Sequence, residues 1–207
     1  MYLRRFILGA VAVAPMLLAI GTPAHADTIP PDAAKAFINQ SGQKLMAIVN
    51  GSSSQTAKSE ALRQLVDQIV AVDRVGHYVL GRYVNVATPG QYQEFLGLFH
   101  KLLAYNITYQ INAYKNISFT VNSATPEGDD MVVDTTITTP DKPPADVGWA
   151  VDEIDGQPKI VDVIVAGTSL RITTRNDYAS VITDNGGQVS ALLTAMQHQI
   201  KKLAAVQ

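Results

Sequence analysis

The spacing of apolar residues changes twice along this chain, and this change constrains the fold more than any other feature. Before about residue 115 and after about residue 170, apolar residues recur every three or four positions, the period of a helix that faces a core. Between Ile117 and Val165 they alternate or form short β-rich stretches bounded by turn residues. Helices, then strands, then helices again is the order of an α+β fold.

Three helices are predicted before residue 85. Asp32 is a candidate N-cap for the first helix, which should end where Asn50-Gly51 and three serines form a turn-rich break. A short third helix is predicted from Asp73 to Leu80. The second helix has a clear apolar face formed by Leu62, Leu65, Val66, Ile69 and Val70.

The sharpest local signal is Thr88-Pro89-Gly90-Gln91, which predicts the start of a long helix. Thr88 can accept a hydrogen bond from the Gln91 amide, and the Gln91 side chain can reach back to the Thr88 amide, an arrangement called a capping box. Proline suits the first helical position because it lacks the N–H that would be unpaired there. We predict that this helix continues to about Tyr114.

Turn residues divide the middle of the chain into four predicted strands. Glu127 to Asp130 forms a turn between the first two strands, and Asp155-Gly156 is a strong hairpin signal between the last two. Pro140 to Pro144 predicts a rigid loop between the two hairpins. The predicted strands span residues 117–122, 131–138, 147–154 and 159–165.

Two helices are predicted after the strands, separated by Asn185-Gly186-Gly187, which is an effective helix stop. The last helix carries an apolar face formed by Val189, Leu192, Leu193, Met196 and Ile200. The expected fold class is therefore α+β, with a curved four-stranded antiparallel sheet packed against several helices.

Residues 1–26 have the features of a secretory signal peptide. Arg4 and Arg5 precede an apolar stretch from Phe6 to Ile20, and Ala24-His25-Ala26 is an A-x-A cleavage signature. Cleavage after Ala26 removes 2 of the 16 basic residues and none of the 18 acidic ones, so residues 27–207 carry 14 − 18 = −4 charges. We predict one exported, periplasmic domain, and this charge provides no basic surface for nucleic acid.

A search for catalytic or metal-binding motifs finds no complete set. Ser41 and Lys44 match the S-x-x-K spacing, but there is no K-T-G, and we assign both to the exposed face of the first helix. His77, His100 and His198 each stand alone, without a second ligand at metal-binding spacing. Asp162 interrupts an apolar strand and is expected to face solvent or a basic side chain, opposite Val161, Val163 and Val165. We therefore predict a protein that is not an enzyme and holds no metal or cofactor.

Apolar and aromatic side chains are abundant on the long helix and on the predicted sheet. An ordinary packed core explains them, and so does an apolar cavity between a bent sheet and its helices. Composition alone does not separate a filled core from a ligand cavity.

Several motifs together resemble the MlaC family, also called the toluene-tolerance family. The first motifs are Asp73-Arg74-Val75-Gly76 and Leu80-Gly81-Arg82-Tyr83, followed by Ala87-Thr88-Pro89-x-Gln91 with Glu94-Phe95 and Phe99. The second half adds Asp155-Gly156, Lys159 to Val163, Gly167-x-Ser169-Leu170 and Arg175 before Asp177-Tyr178. The similarity extends from about Asp32 to the end of the chain.

The resemblance implies a periplasmic carrier that binds lipid acyl chains in an apolar cavity. Such carriers shuttle phospholipid between an outer-membrane lipoprotein complex and an inner-membrane ABC transporter complex. We expect one wall of the cavity to be formed by Val79, Tyr83, Phe95, Phe99, Leu102 and Leu103. The opposite wall is expected to be formed by Trp149, Val151, Val163 and Val165. Candidates for contact with the lipid headgroup or a protein partner are Arg74, Arg82 and Arg175.

Some positions depart from the common family pattern, notably Asn106-Ile107 after the paired leucines of the long helix and Val84-Asn85-Val86 after Tyr83. The segment from Arg175 to Gly187 also resembles a branch of the family associated with hopanoids. The resemblance therefore leaves two ligand classes open, phospholipid and hopanoid or another polycyclic lipid. A module that binds a protein partner and no lipid is the remaining alternative.

Overall fold

The computed structural model describes residues 29–112, 117–140 and 142–205. The predicted signal peptide with its cleavage site, and Tyr114 as the expected end of the long helix, lie outside the described residues.

Six α-helices of the described ranges occur in the predicted order. They are α1 (Pro31–Asn50), α2 (Gln55–Ile69), α3 (Val72–Leu80), α4 (Pro89–Asn112), α5 (Leu170–Asp184) and α6 (Val189–Ala204), and a short 3₁₀ helix, Gly81–Asn85, follows α3. The start of α1 differs from the prediction, because Pro31 occupies its first turn and no side chain caps it. Asp32 instead lies inside that turn, 2.9 Å from Lys35.

The prediction of four strands is wrong by one short strand. The sheet contains β1 (Ser118–Glu127), β2 (Asp130–Thr139), β3 (Lys142–Ile154), β4 (Gln157–Val165) and β5 (Thr168–Ser169), all antiparallel and adjacent in chain order. The fifth strand forms because Ala166 and Gly167 both adopt positive φ, 49° and 75°, so the chain reverses in two residues. Two residues of strand after such a turn are too short to show an alternating pattern.

The loop predicted from Pro140 to Pro144 is partly strand. β3 begins at Lys142, and the register of β2 and β3 shifts between Ile137 and Thr139. Prolines cannot donate to a strand ladder, but they are tolerated at the start of a strand and at such irregularities. The Asp155-Gly156 hairpin is confirmed, with φ of 52° and 72° in the two-residue turn between Ile154 and Gln157.

The sheet is apolar on both faces. We call the face that packs against α1 the α1 face; its buried residues are Met131, Val133, Val151 and Ile160, which contact Ile29, Ala34 and Ile38. The opposite face, which we call the α3 face, buries Val132, Ala150 and Val161 against Ala71 and Val75. Helices therefore cover the sheet from both sides.

A β-bulge decides which face each residue of β4 occupies. Ala150 pairs with Asp162 and Val151 pairs with Ile160, so Val161 is an extra residue in β4. Val161 consequently packs on the α3 face, whereas Val163 packs on the α1 face. The expectation that Val161, Val163 and Val165 share a face is wrong for Val161, because the bulge interrupts the alternation.

The remaining core lies among helices. Phe95 and Leu102 of α4 are buried with Val79 of α3, Ile182 of α5 and Met196 of α6. Val70, in the link between α2 and α3, contacts both this helical core and the α1-face core. The next residue donates its backbone N–H to the Ile160 carbonyl at 3.0 Å, which joins the helical layer to β4.

No helix within the described ranges is both long enough and apolar enough to cross a bilayer.

The predicted capping box at the start of α4 is confirmed. The Gln91 amide donates to Thr88 Oγ1 at 3.2 Å, and the Thr88 amide donates to Gln91 Oε1 at 3.0 Å. Thr88→Ala should lower the free energy of unfolding by about 1 kcal/mol, because it leaves a helix amide unpaired. Urea denaturation measures this change. Thr194→Ala, which removes an exposed hydroxyl inside α6, is the matched control and should change stability by less than about 0.5 kcal/mol; equal losses would contradict the assigned cap.

Candidate functional site

The helical set of predicted site residues lies in the core between helices. Phe95 is completely buried, and its ring stacks on Phe99 with 5.9 Å between centroids. Tyr178 of α5 meets the Phe95 ring edge-on at 6.0 Å, and burial raises the pKa of Tyr178 to about 12. The same core contains the other members of the set, Val79, Tyr83, Leu102 and Leu103.

The sheet set of predicted site residues lies on the α1 face. Trp149 and Val163 are paired neighbours on β3 and β4, and both are only partly buried. The Trp149 indole donates to Thr135 Oγ1 at 2.8 Å, and that hydroxyl donates to the Val147 carbonyl at 3.0 Å, so the ring is held in place. Val151 is fully buried, and Val165 is 39% exposed at the end of β4. We call Trp149, Val163 and Val165 the Trp149 strip.

The two predicted walls are not opposite walls of one cavity. The helical set and the sheet set belong to separate apolar clusters, which are linked through Val70. The expected cavity between the long helix and the sheet is therefore not confirmed. A cleft of about 260 Å³ lies elsewhere, between the end of α1 and the start of α2. Its lining residues are Ala47, Ile48, Ser53, Ala57, Lys58 and Ala61.

The α1 face is unevenly covered. α1 packs on β1 and β2, and it approaches β1 so closely that a Cβ at Gly42 would lie 2.0 Å from the Phe119 ring. β4 is contacted by α2, α3 and α5, but no helix in the described part of the chain packs comparably on β3. Trp149 and Val163 are only partly buried and Val165 is exposed, so the Trp149 strip is incompletely covered.

The three predicted arginines have different surroundings. Arg74 forms an ion pair with Asp152 of β3, with 2.6 Å between Nη2 and Oδ2. The Arg82 guanidinium lies 4.9 Å from the Tyr83 ring centroid, and that of Arg175 lies 5.1 Å from the Tyr78 ring centroid. Arg82 and Arg175 are thus adjacent to the same turn after α3, whereas Arg74 lies on α3 beside β3, the central strand of the sheet.

The sequence predicted solvent or a basic side chain at Asp162, but it did not identify the buried polar cluster that surrounds this residue. Asp162 is only 7% exposed and accepts hydrogen bonds from the Ser169 hydroxyl and, at 2.8 Å, from the Arg171 amide. The Arg171 guanidinium lies 3.7 Å from Asp162 and 3.1 Å from Asp130, and it stacks on the Tyr78 ring. Burial raises the pKa of Asp130, which Arg171 opposes. Asp162 therefore faces Arg171 and not solvent.

The cluster fixes the start of α5 against the sheet. Ser169 caps α5 by accepting from the Ile172 amide at 3.0 Å while its hydroxyl is bonded to Asp162. A sequence signal existed, because an aspartate inside an apolar strand needs a buried partner. The partner, Arg171, follows a turn and the two-residue strand β5, so the sequence alone does not show that it lies beside Asp162.

The histidine candidates and the Ser41-Lys44 pair lie on helices. No group of three or more His, Asp or Glu side chains in the described ranges is arranged to hold a metal ion. His100 lies 3.5 Å from Asp67 on exposed helix surfaces. Ser41 is buried, which corrects its assignment to the exposed face of α1, and Lys44 is exposed as expected.

An open antiparallel sheet between helices defines a small α+β protein. A family model described as MlaC protein matches residues 39–198, and the chain therefore belongs to the MlaC family. This confirms the family inferred from the motifs.

The fold also matches a solved structure, the phospholipid-binding protein from Ralstonia solanacearum in complex with a phospholipid. The two sequences are 25% identical, and the match covers 83% of this chain and 98% of that chain with a TM-score of 0.72. The two proteins therefore share nearly all of the described fold.

Asp162→Asn should destabilise the protein by about 3 kcal/mol or more, because it leaves the Arg171 charge buried with one fewer carboxylate. Asp146→Asn is the matched control, since Asp146 is exposed and accepts only from Thr136 at 2.9 Å. Urea denaturation of both variants measures the difference. Similar, small effects for both variants would show that the buried cluster does not stabilise the attachment of α5.

Proposed function

We propose that this protein is a periplasmic phospholipid carrier. The observation that supports this most directly is the match to a phospholipid-bound structure over 98% of that chain, together with membership of the MlaC family. Proteins of this family are periplasmic, and the predicted signal peptide would export this chain to that compartment. The role is binding and delivery, with no reaction catalysed.

The acyl chains bind on the α1 face, beginning at the Trp149 strip. This apolar strip is only partly buried, and Trp149 is already fixed there by its hydrogen bond to Thr135. Each methylene removed from water contributes about 0.8 kcal/mol to binding. A chain with about fourteen buried methylenes therefore gains roughly 11 kcal/mol.

A two-chain lipid needs more space than the cleft between α1 and α2 offers. The cleft between α1 and α2 encloses about 260 Å³, below the roughly 300–1,000 Å³ of typical ligand pockets. α1 rests on β1 through the Gly42 and Phe119 contact, and its last turn is held to α2 by Lys58 Nζ donating to the Val49 carbonyl at 2.7 Å. Loading therefore moves α1 away from the sheet, which enlarges the space beside Trp149.

The carrier exchanges lipid with an inner-membrane ABC transporter complex and an outer-membrane lipoprotein complex. This part of the proposal follows from the family resemblance. Hopanoid or another polycyclic lipid is the alternative ligand, and a rigid polycycle would occupy the same apolar face. Native mass spectrometry of protein purified from a periplasm without detergent, followed by lipid extraction, distinguishes the ligands by mass.

Val165→Asp should reduce the fraction of lipid-loaded protein by about tenfold or more while the protein stays folded. Val165 is already 39% exposed, so the charge is tolerated in the empty protein but would be desolvated against an acyl chain. Native mass spectrometry gives the loaded fraction, and circular dichroism verifies the fold.

Val86→Asp is the matched control for this experiment. Val86 is 58% exposed and follows the 3₁₀ helix, away from the α1 face, so this variant should load lipid as the unchanged protein does. Normal loading of a folded Val165→Asp protein would place the acyl chains elsewhere. Protein that is empty and refuses added phospholipid would contradict the carrier function itself.

A further inference from the structure

Two arginines on one side of the molecule have no carboxylate partner in the described structure. Arg63 pairs with Glu60 at 2.7 Å, Arg74 pairs with Asp152 at 2.6 Å, and Arg171 pairs with Asp130 at 3.1 Å. Arg82 and Arg175 are exposed, and among the described residues no carboxylate lies within ion-pair distance of either. The chain carries a net charge of −4 after the predicted cleavage. Two neighbouring arginines without a carboxylate among the described residues therefore form a locally positive region.

Both arginines lie against aromatic rings, and Arg82 also donates a hydrogen bond. Arg82 stacks on Tyr83 and donates to its hydroxyl at 2.9 Å, and Thr183 Oγ1 lies 2.8 Å from the same hydroxyl. Hydrogen bonding to Thr183, with a smaller contribution from Arg82, lowers the pKa of Tyr83. Arg175 stacks on the Tyr78 ring, and Arg171 stacks on the same ring. Such fixed side chains lose less conformational entropy when they bind a partner.

Gly81 is the residue that lets Arg175 reach this position. Its φ of 57° is left-handed, and a Cβ there would lie 2.9 Å from Arg175 Nε. A side chain at position 81 would therefore be strained and would also displace the guanidinium.

Exposed apolar side chains border the two arginines. Val86, which follows Arg82 by four residues, is 58% exposed. Ile172, which precedes Arg175 by one turn of α5, is 48% exposed. Arginine beside tyrosine and aliphatic side chains is a composition typical of the centre of protein interfaces. We call Arg82, Val86, Ile172 and Arg175 the Arg82 surface.

We propose that the Arg82 surface is a docking site for an acidic face of a partner protein. Two anchored arginines bordered by tyrosine and exposed aliphatic side chains match the composition of a protein interface, whereas a phosphate site needs no apolar border. The site lies on α5 and the 3₁₀ helix, and so it is separate from the lipid-binding face and does not depend on the proposed lipid function.

The test measures binding of the full mature protein to a defined acidic probe. A fluorescein-labelled peptide of repeated Glu-Glu-Leu supplies spaced carboxylates with an apolar residue, and a Lys-Lys-Leu peptide is the opposite-charge comparison. Fluorescence anisotropy should show binding to the acidic peptide alone, weakening as salt is raised. The variant R82E/R175E should bind at least about tenfold more weakly.

Arg63→Glu is the matched control, because it reverses an exposed arginine on α2 and should leave the affinity within about twofold. R82Q/R175Q keeps the side-chain size and should also weaken binding, which covers the case in which charge reversal disturbs the fold. Lipid loading, measured in parallel, should not change in any of these variants.

Three outcomes would overturn the proposal. The first is no binding of the acidic peptide by the unchanged protein. The second is an equal loss of affinity in the Arg63→Glu control. The third is tighter binding to phosphatidylglycerol vesicles that depends on the same two arginines, which would assign them to a lipid phosphate. A loss of lipid loading in all proteins would count against the carrier function and not against this surface.

Discussion

The structure depends on one constraint, which is that the sheet is apolar on both faces. Met131 and Val133 require cover on one side, and Val132 requires it on the other, although all three are consecutive. A sheet of this kind is stable only between two layers of helices. α1 supplies one layer, and α3 with α5 supplies the other, so the long helix α4 packs mainly on helices and not on the strands.

The two helical layers are attached to the sheet by different means. The α5 side is fixed by a charged cluster, in which Asp162 receives hydrogen bonds from Ser169 and Arg171. The α1 side is held by apolar packing, such as Gly42 against Phe119. Buried ionic groups are costly to separate, whereas an apolar contact can be replaced by an acyl chain of similar character. This difference supports the proposal that lipid enters beneath α1.

Local patterns predicted most of the elements because their causes are local. The capping box at Thr88 and the turn at Asp155 both involve residues within three positions of each other. The errors had two different causes. β5 was missed because a two-residue strand, in which Thr168 pairs with Val165 across a tight turn, is too short to show a pattern, and Pro143 is accepted in β3 because the register of β2 and β3 shifts nearby. The site residues were divided correctly between helix and sheet, yet the sequence did not show that they occupy separate cores.

The α+β order, the helix and strand periods, the main turns and the family could all be predicted from the order of the amino acids. Those properties follow from side-chain spacing and backbone preferences, which are readable within a few residues. Three features emerged only from the folded chain: Val161 packs on the α3 face, Asp162 meets Arg171, and Arg82 and Arg175 have no carboxylate within ion-pair distance among the described residues. A bulge moves the following side chains of a strand to the opposite face of the sheet, and ion pairs form between residues that are close in space. Neither property can be read from a short stretch of sequence.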